Sequence, residues 1–192
     1  GLVLIASYVF YGWWSWKFMG LLMVSTLLDY LYGFWVASTN RKKARLFLWL
    51  SIINNLGILG LFKYYNFFAA QFQQSLEFLG ISVQPYFLNL ALPIGISFYT
   101  FHGMSYVSDI YHGRQKPVRN FLEYGVFVSF FPLLVAGPIE RASHLLPQIQ
   151  KERTFNFRQA VQGLRLMLWG MFKKVVVADT LAEFVDPVFS NY

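Results

Sequence analysis

The sequence predicts an all-α fold, a polytopic bundle of transmembrane helices with kinked or re-entrant segments around a central funnel. Of its 192 residues, 56% are hydrophobic and only 13% are charged, against about 25% charged residues in an average soluble domain. Several apolar runs also approach the roughly 20 residues that a helix needs to cross a bilayer. A soluble fold of this length has no room to bury so much apolar surface, and disordered chains are poor in such residues.

The first part of the chain alternates apolar runs with a basic loop. Residues 2–14 are expected to end a membrane helix in a belt of tryptophans. Residues 18–38 form a 21-residue run, which is roughly 31 Å of helix and matches the hydrocarbon thickness. Loop 39–45 has four basic residues and no acid, so the positive-inside rule places it in the cytoplasm. Residues 46–62 then cross back.

The middle of the chain predicts an interfacial segment and an interrupted span. Residues 63–85 mix aromatic and glutamine residues, which is typical of an amphipathic segment at the outer interface. Residues 86–111 are apolar but interrupted at Pro93 and Gly95. The loop 112–120 carries three basic residues and is expected to be cytoplasmic again.

Beyond residue 120 the positive-inside rule gives a conflict. The run 121–139 is long enough to span, yet a full crossing would place the basic segment 140–160 outside. Pro132 and Pro138 lie late in this run, where they break a helix. A kinked or re-entrant segment is therefore favoured, and such broken backbone survives only in contact with protein or a wet cavity. A further helix is predicted over 161–178, and residues 1–192 are interpreted as one membrane domain, part of a longer protein.

Four polar residues recur at helical spacing in the segment 99–109. Tyr99, His102, Tyr106 and Asp109 share one face of a helix, and that face must meet protein or water because unpaired polar groups are costly in lipid. Two interpretations stay open, the wall of a hydrophilic funnel and an interhelical hydrogen-bond network. A lining or structural role is favoured for His102 over a general base, since Asp109 is about 10 Å away along the helix.

Other polar residues in apolar segments have structural interpretations. Asp29 lies inside the second span and needs a partner there, for which Lys63 and Arg165 are candidates in a structural ion pair. Asn54 and Asn55 are expected to form interhelical hydrogen bonds.

Arg141 follows the two prolines of the broken segment. It is a candidate for binding a phosphate or carboxylate of a substrate or carrier, or for holding the elbow by its backbone carbonyls. Both interpretations stay open.

Several classes of site are absent from the sequence. There is no cysteine, which excludes disulfides, zinc-thiolate sites and a cysteine nucleophile. The three histidines are scattered, so neither a metal site nor a bound cofactor is expected. The net charge of +7 belongs to loops, as in membrane proteins, and no nucleic-acid partner is expected.

Six strings carry a family resemblance that composition alone does not provide. They are FYGWW at 10–14, FKYYNFF at 62–68, LPIGISFYTFHGMSYVSDIYHG at 92–113, FVSFFPLLVAGPIER at 127–141, LLPQI at 145–149 and GMFKKVVVAD at 170–179. In this order they resemble the membrane-bound O-acyltransferase family, in particular its bacterial branch that acetylates alginate. The resemblance covers nearly the whole chain.

The resemblance implies an acyl transfer across the bacterial inner membrane. An acyl thioester donor, acetyl-CoA or an acyl carrier, would supply the group from the cytoplasm. The acceptor would be a cell-envelope polysaccharide such as alginate, or an extracytoplasmic partner acetyltransferase, with membrane lipids around the protein. The family's catalytic histidine lies beyond Tyr192, so no catalytic residue is expected within 1–192, and His102 occupies a position where relatives carry Gln or His. A transporter or channel segment and a catalytically silent scaffold remain the alternatives.

Overall fold

A computed structural model describes residues 1–81, 87–88, 91–135, 137–152 and 154–190. Every regular element in these ranges is helical, which confirms the all-α prediction. The helices are α1 (Leu2–Trp14), α2 (Trp16–Ser38), α3 (Arg41–Leu59), α4 (Tyr65–Phe78), α5 (Ile96–Tyr111), α6 (Phe121–Ser129), α7 (Phe131–Leu134), α8 (Ala142–Gln150), α9 (Phe157–Met171) and α10 (Asp179–Ser190). Two π-helical stretches, Gly60–Tyr64 and Phe172–Ala178, join α3 to α4 and α9 to α10.

The chain forms two compact units, Gly1–Lys151 and Glu152–Tyr192. In the first unit α2, α3 and α5 pack pairwise against one another and form its centre. Helix α1 packs on α2 and α6, while α8 packs on α5 and α6. The largest fully buried side chains of this unit are mostly aromatic: Tyr11, Tyr99, Tyr106, Tyr124 and Phe127. Three central helices thus position the polar groups described below.

Helices α2 and α5 approach closely because glycine faces the partner helix on both sides. A Cβ atom at Gly33 would lie 2.6 Å from the ring of Tyr106. A Cβ atom at Gly103 would overlap the carboxylate of Asp29. Small residues at such contacts let two helix backbones come together, as in membrane helix pairs.

The outer surface of the first unit is rich in large apolar side chains. Leu27, Trp49 and Ile53 are examples, with exposed fractions of 47%, 55% and 63%. Helix α2 and the continuous helix Arg41–Phe78 are both long and apolar enough to cross a membrane. Exposed apolar surface on this scale is unfavourable in water, so the pattern supports a bilayer as the surrounding solvent.

The helices are interrupted in both regions where proline and glycine predict a break, near Gly95 and near Pro132. Helix α5 starts after Gly95, whose φ of +75° is a left-handed value that favours glycine. The run 121–139 is divided at Phe130, between α6 and α7, with Pro132 in the first turn of α7. The backbone N–H of Phe131, freed by this break, donates to the Ser7 hydroxyl at 3.3 Å.

Two other predicted segments are described only in part. The amphipathic segment expected over 63–85 is helical as α4 and ends in a turn at Gly80. Residues 82–86 and 89–90, which complete this segment and open the span expected at 86–111, lie outside the described residues. For the span expected over 86–111, the helical contacts described below are those of α5.

The second unit is one continuous helical stretch made of α9, the second π-helical stretch and α10. The helix expected over 161–178 thus begins earlier, at Phe157. Trp169 stacks on Phe172 with ring centroids 5.4 Å apart, and Lys174 pairs with Asp179 at 2.7 Å. Both contacts join residues that are close in sequence within this one helical stretch.

We expect Gly33→Ala to destabilise the first unit by about 1–3 kcal/mol, because the added methyl group meets the buried Tyr106 ring. Gly57→Ala on α3 is the matched control, since its Cβ meets nothing within 4 Å and alanine is the better helix former. Thermal unfolding of the full-length protein in detergent measures both. Equal stability of the two variants would contradict the close α2–α5 contact.

Candidate functional site

The centre of the first unit holds a buried carboxylate, that of Asp29. Its Oδ1 accepts hydrogen bonds from the Ser51 hydroxyl at 2.9 Å and from the Asn55 side-chain amide at 2.7 Å. The three residues are at most 1% exposed. Asp29 therefore takes neutral donors from α3, and Lys63 and Arg165, considered as its partners from the sequence, have exposed side chains.

The spacing of α3 explains this arrangement. Ser51 and Asn55 are four residues apart, so both side chains lie on the helix face that meets α2. The Asn55 amide also donates to the Ser51 carbonyl at 3.0 Å, which fixes its orientation. Asn54, one residue earlier, is only partly buried, and its amide nitrogen has no hydrogen-bond partner among the described residues.

The polar stripe of α5 faces protein. Tyr99, His102, Tyr106 and Asp109 are each at most 4% exposed, and α5 packs against α2, α3, α6 and α8. Their shared face is thus turned away from the apolar outer surface. Within the described residues the Tyr99 hydroxyl and Asp109 Oδ2 lack a hydrogen-bond partner, which is unusual for buried polar atoms.

His102 connects α5 to the segment that follows the broken run. Its Nε2 accepts a hydrogen bond from the backbone N–H of Glu140 at 3.3 Å, and its ring lies 5.2 Å from that of Phe127. The Glu140 carboxylate pairs instead with His144, at 2.7 Å. His102 thus has a backbone donor on Nε2, and no side-chain carboxylate orients its ring among the described contacts.

Two buried or half-buried tyrosines hold the loop 112–120. The Tyr106 hydroxyl accepts from the backbone N–H of Val118 at 3.0 Å, and the Tyr30 hydroxyl donates to the Arg119 carbonyl at 2.7 Å. Asp109, in the last turn of α5, pairs with Arg114 of this loop at 3.7 Å. The C-terminal part of the polar stripe, Tyr106 and Asp109, therefore contacts the basic loop 112–120 and helps to fix it.

Arg141 lies at the start of α8 with its side chain exposed. Its backbone carbonyl accepts from the N–H groups of His144 and Leu145, both at 3.0 Å. Its guanidinium group forms no hydrogen bond or ion pair within the ranges that the structure covers. The geometry thus leaves this guanidinium group available to an anion.

Open cavities lie beside several of the described helices and loops. An apolar cleft of about 410 Å³ lies between the aromatic end of α1, Ile94 and Val135. A polar crevice of about 360 Å³ follows the loop 115–120 and reaches Gln150. A basic crevice of about 490 Å³ is lined by Arg41, Lys42 and Arg45.

Sequence reasoning missed two of the central residues. Ser51 is a donor to Asp29, and Tyr124, fully buried, lies with its ring 4.4 Å from that of Tyr106. The spacing of Ser51 and Asn55 on an apolar helix was a usable signal, because polar residues four apart share a face. No pattern in the sequence singles out Tyr124, since its neighbours in α6 are buried as well.

The chain is similar to bacterial polysaccharide O-acetylases over nearly all its residues. It is 39% identical over 192 residues, 98% of the chain, to "Probable alginate O-acetylase AlgI" of Pseudomonas syringae pv. tomato. It is 37% identical, again over 98% of the chain, to the protein of the same name in Azotobacter vinelandii. A "Peptidoglycan O-acetyltransferase" of Helicobacter pylori is 33% identical over 96% of the chain. No family model and no solved structure matches the chain.

These relatives confirm the resemblance found in the sequence motifs. The relatives are members of the membrane-bound O-acyltransferase family, and the chain is similar to part of their length. It spans 36%, 38% and 39% of the lengths of the three relatives named above. What the relatives' names say of acetylation is therefore carried to this chain only as a proposal.

We expect Asn55→Ala to destabilise the full-length protein by about 1–3 kcal/mol, because it removes one of the two donors to a buried carboxylate. Asn54→Ala is the control, being adjacent on α3, partly exposed and without a recorded partner for its amide nitrogen. Thermal unfolding in detergent compares them. A loss of stability no greater for Asn55→Ala than for Asn54→Ala would show that the Asp29 cluster contributes little.

Proposed function

We propose that the protein is a membrane-bound O-acyltransferase of the cell envelope. It moves an acyl group, in the first instance acetyl, from a cytoplasmic thioester donor across the membrane toward hydroxyl groups of a polysaccharide such as alginate. The observation that carries this proposal is the similarity to named O-acetylases, at 33–39% identity and over nearly all of the chain. The donor is acetyl-CoA or an acyl carrier, and an extracytoplasmic acetyltransferase is a possible direct recipient.

In this proposal the chain is a multi-pass part of the inner-membrane enzyme and supplies a wall of its funnel. The buried polar face of α5 supports this role, because Tyr99 and Asp109 each keep a hydrogen-bonding atom that has no partner in the described part of the chain. The break at Phe130 supports a re-entrant path for the run 121–139. Helix breaks at membrane depth occur where the backbone meets protein or a water-filled cavity.

The catalytic base is proposed to lie outside residues 1–192. His102 is a poor candidate for it, since its Nε2 already accepts from the Glu140 backbone and no carboxylate orients its ring. We infer that His102 positions the α7–α8 connection and the adjacent wall. Arg141, exposed at the same connection, is proposed to bind an anionic group of the donor or acceptor.

Acyl transfer by the full-length protein tests the proposed function. Purified protein is placed in sealed vesicles, a ¹⁴C-acetyl thioester is supplied on the cytoplasmic side, and mannuronate oligosaccharides are enclosed on the other. We expect label to appear as an alkali-labile ester on the oligosaccharide. Omitting the oligosaccharide and supplying the partner acetyltransferase separates direct from relayed transfer. Absence of transfer with both recipients would leave a transporter or a silent scaffold as the better description.

His102→Gln is expected to keep acyl transfer within about threefold of wild type, because a glutamine oxygen still accepts from the Glu140 N–H. His102→Leu removes the acceptor, so its transfer and thermal stability should both fall. The initial rate of label transfer and the unfolding temperature are measured for each. Loss of transfer in His102→Gln at unchanged stability would make His102 a catalytic residue.

Asp109→Asn is expected to lower the yield or the transfer rate of the full-length enzyme. It neutralises a buried carboxylate that pairs with Arg114 at the start of the basic loop. Glu77→Gln, an exposed acid on α4, is the control. Wild-type yield and wild-type transfer in Asp109→Asn would argue against a functional polar stripe.

A further inference from the structure

A cluster of basic side chains lies at the beginning of α3, apart from the polar stripe of α5. Arg41, Lys42 and Arg45 line an open crevice of about 490 Å³, called here the basic crevice. Among the described residues its lining contains no acid, and the first turn of α3 carries none either. We propose that the basic crevice is a binding site for a phosphate group.

Tyr111, the last residue of α5, holds Arg41 and lies near Arg45. The Arg41 guanidinium lies over the Tyr111 ring at 4.1 Å, and its Nη1 donates to the Tyr111 carbonyl at 2.9 Å. The Arg45 side chain lies near the Tyr111 hydroxyl. The Arg41 side chain is thereby ordered before any ligand arrives, so less side-chain entropy is lost on binding.

This arrangement brings like charges together without compensation. Arg41 and Arg45 are four residues apart on one helix face, a spacing at which like charges destabilise a helix. The acid closest in sequence to Tyr111, Asp109, is paired with Arg114. A bound anion would offset this repulsion.

The general excess of basic residues in cytoplasmic loops does not explain the geometry. That rule needs only charge in the loop, and it would be met equally by mobile side chains. Here a residue from a different helix, Tyr111, fixes the Arg41 guanidinium beside the crevice. Lys43 provides the contrast, because it lies in the same turn of α3 and does not line the crevice.

The chemistry of the crevice favours a phosphate monoester or diester. Arginine presents a planar fork of N–H donors that matches two phosphate oxygens at once. Two sources share this chemistry, the headgroup of an anionic phospholipid and the phosphates of a soluble nucleotide-bearing thioester. The second source rests on the proposed function and the first does not.

Two binding measurements on the purified full-length protein test the site. In the soluble arm, adenosine 3′,5′-bisphosphate is titrated into protein in detergent. In the lipid arm, native mass spectrometry compares retained phosphatidylglycerol with retained phosphatidylcholine. Arg45→Gln is expected to weaken binding at least about tenfold in one arm, since it removes a charge-assisted bond, while Lys43→Gln changes it less than twofold. Tyr111→Leu, which removes the ring and the hydroxyl, should also weaken binding.

The outcomes decide the proposal separately from acyl transfer. Binding of neither probe by wild type, or equal weakening by Arg45→Gln and Lys43→Gln, overturns the phosphate site. Unfolding temperatures of the variants, whose side chains at 43 and 45 are exposed, confirm that folding is intact. Acyl transfer without phosphate binding at the crevice would contradict this inference and leave the proposed function standing. Phosphate binding without acyl transfer would contradict the proposed function and leave this inference standing.

Discussion

The first unit depends on a carboxylate buried where three helices meet. Asp29 of α2 receives its hydrogen bonds from Ser51 and Asn55 of α3, and its other side lies against Gly103 of α5. In an apolar surrounding such a group is costly unless donors satisfy it. One interaction therefore ties α2 to α3 and requires a residue without a side chain on α5.

The same requirement, that polar groups find partners inside the protein, accounts for the breaks in the apolar runs. At Phe130 the chain leaves helical geometry, and the next N–H is taken up by Ser7 of α1. Nearby, His102 of α5 accepts the N–H of Glu140. Irregular backbone in this unit is thus matched to side chains on neighbouring helices, which is how membrane proteins tolerate it.

Two regions with different chemistry follow from this scaffold. The buried face of α5 carries polar atoms that lack hydrogen-bond partners among the described residues, and this face is proposed to line the transfer path. The basic crevice is exposed, and Tyr111 organises it from the end of the same helix. Helix α5 therefore links the proposed transfer path to a proposed anion site.

The sequence alone determined the helical class, the apolar runs, the interruptions near Pro93 and Pro132, and the family, because each follows from local composition, periodicity or motif order. It also placed Tyr99, His102, Tyr106 and Asp109 on one face, since helical spacing is a local property. The tertiary structure decided the partners. Neutral Ser51 and Asn55 bind Asp29, and Tyr111 fixes Arg41. Such pairings depend on how helices distant in sequence cross, and the spacing within one helix carries no information about that crossing.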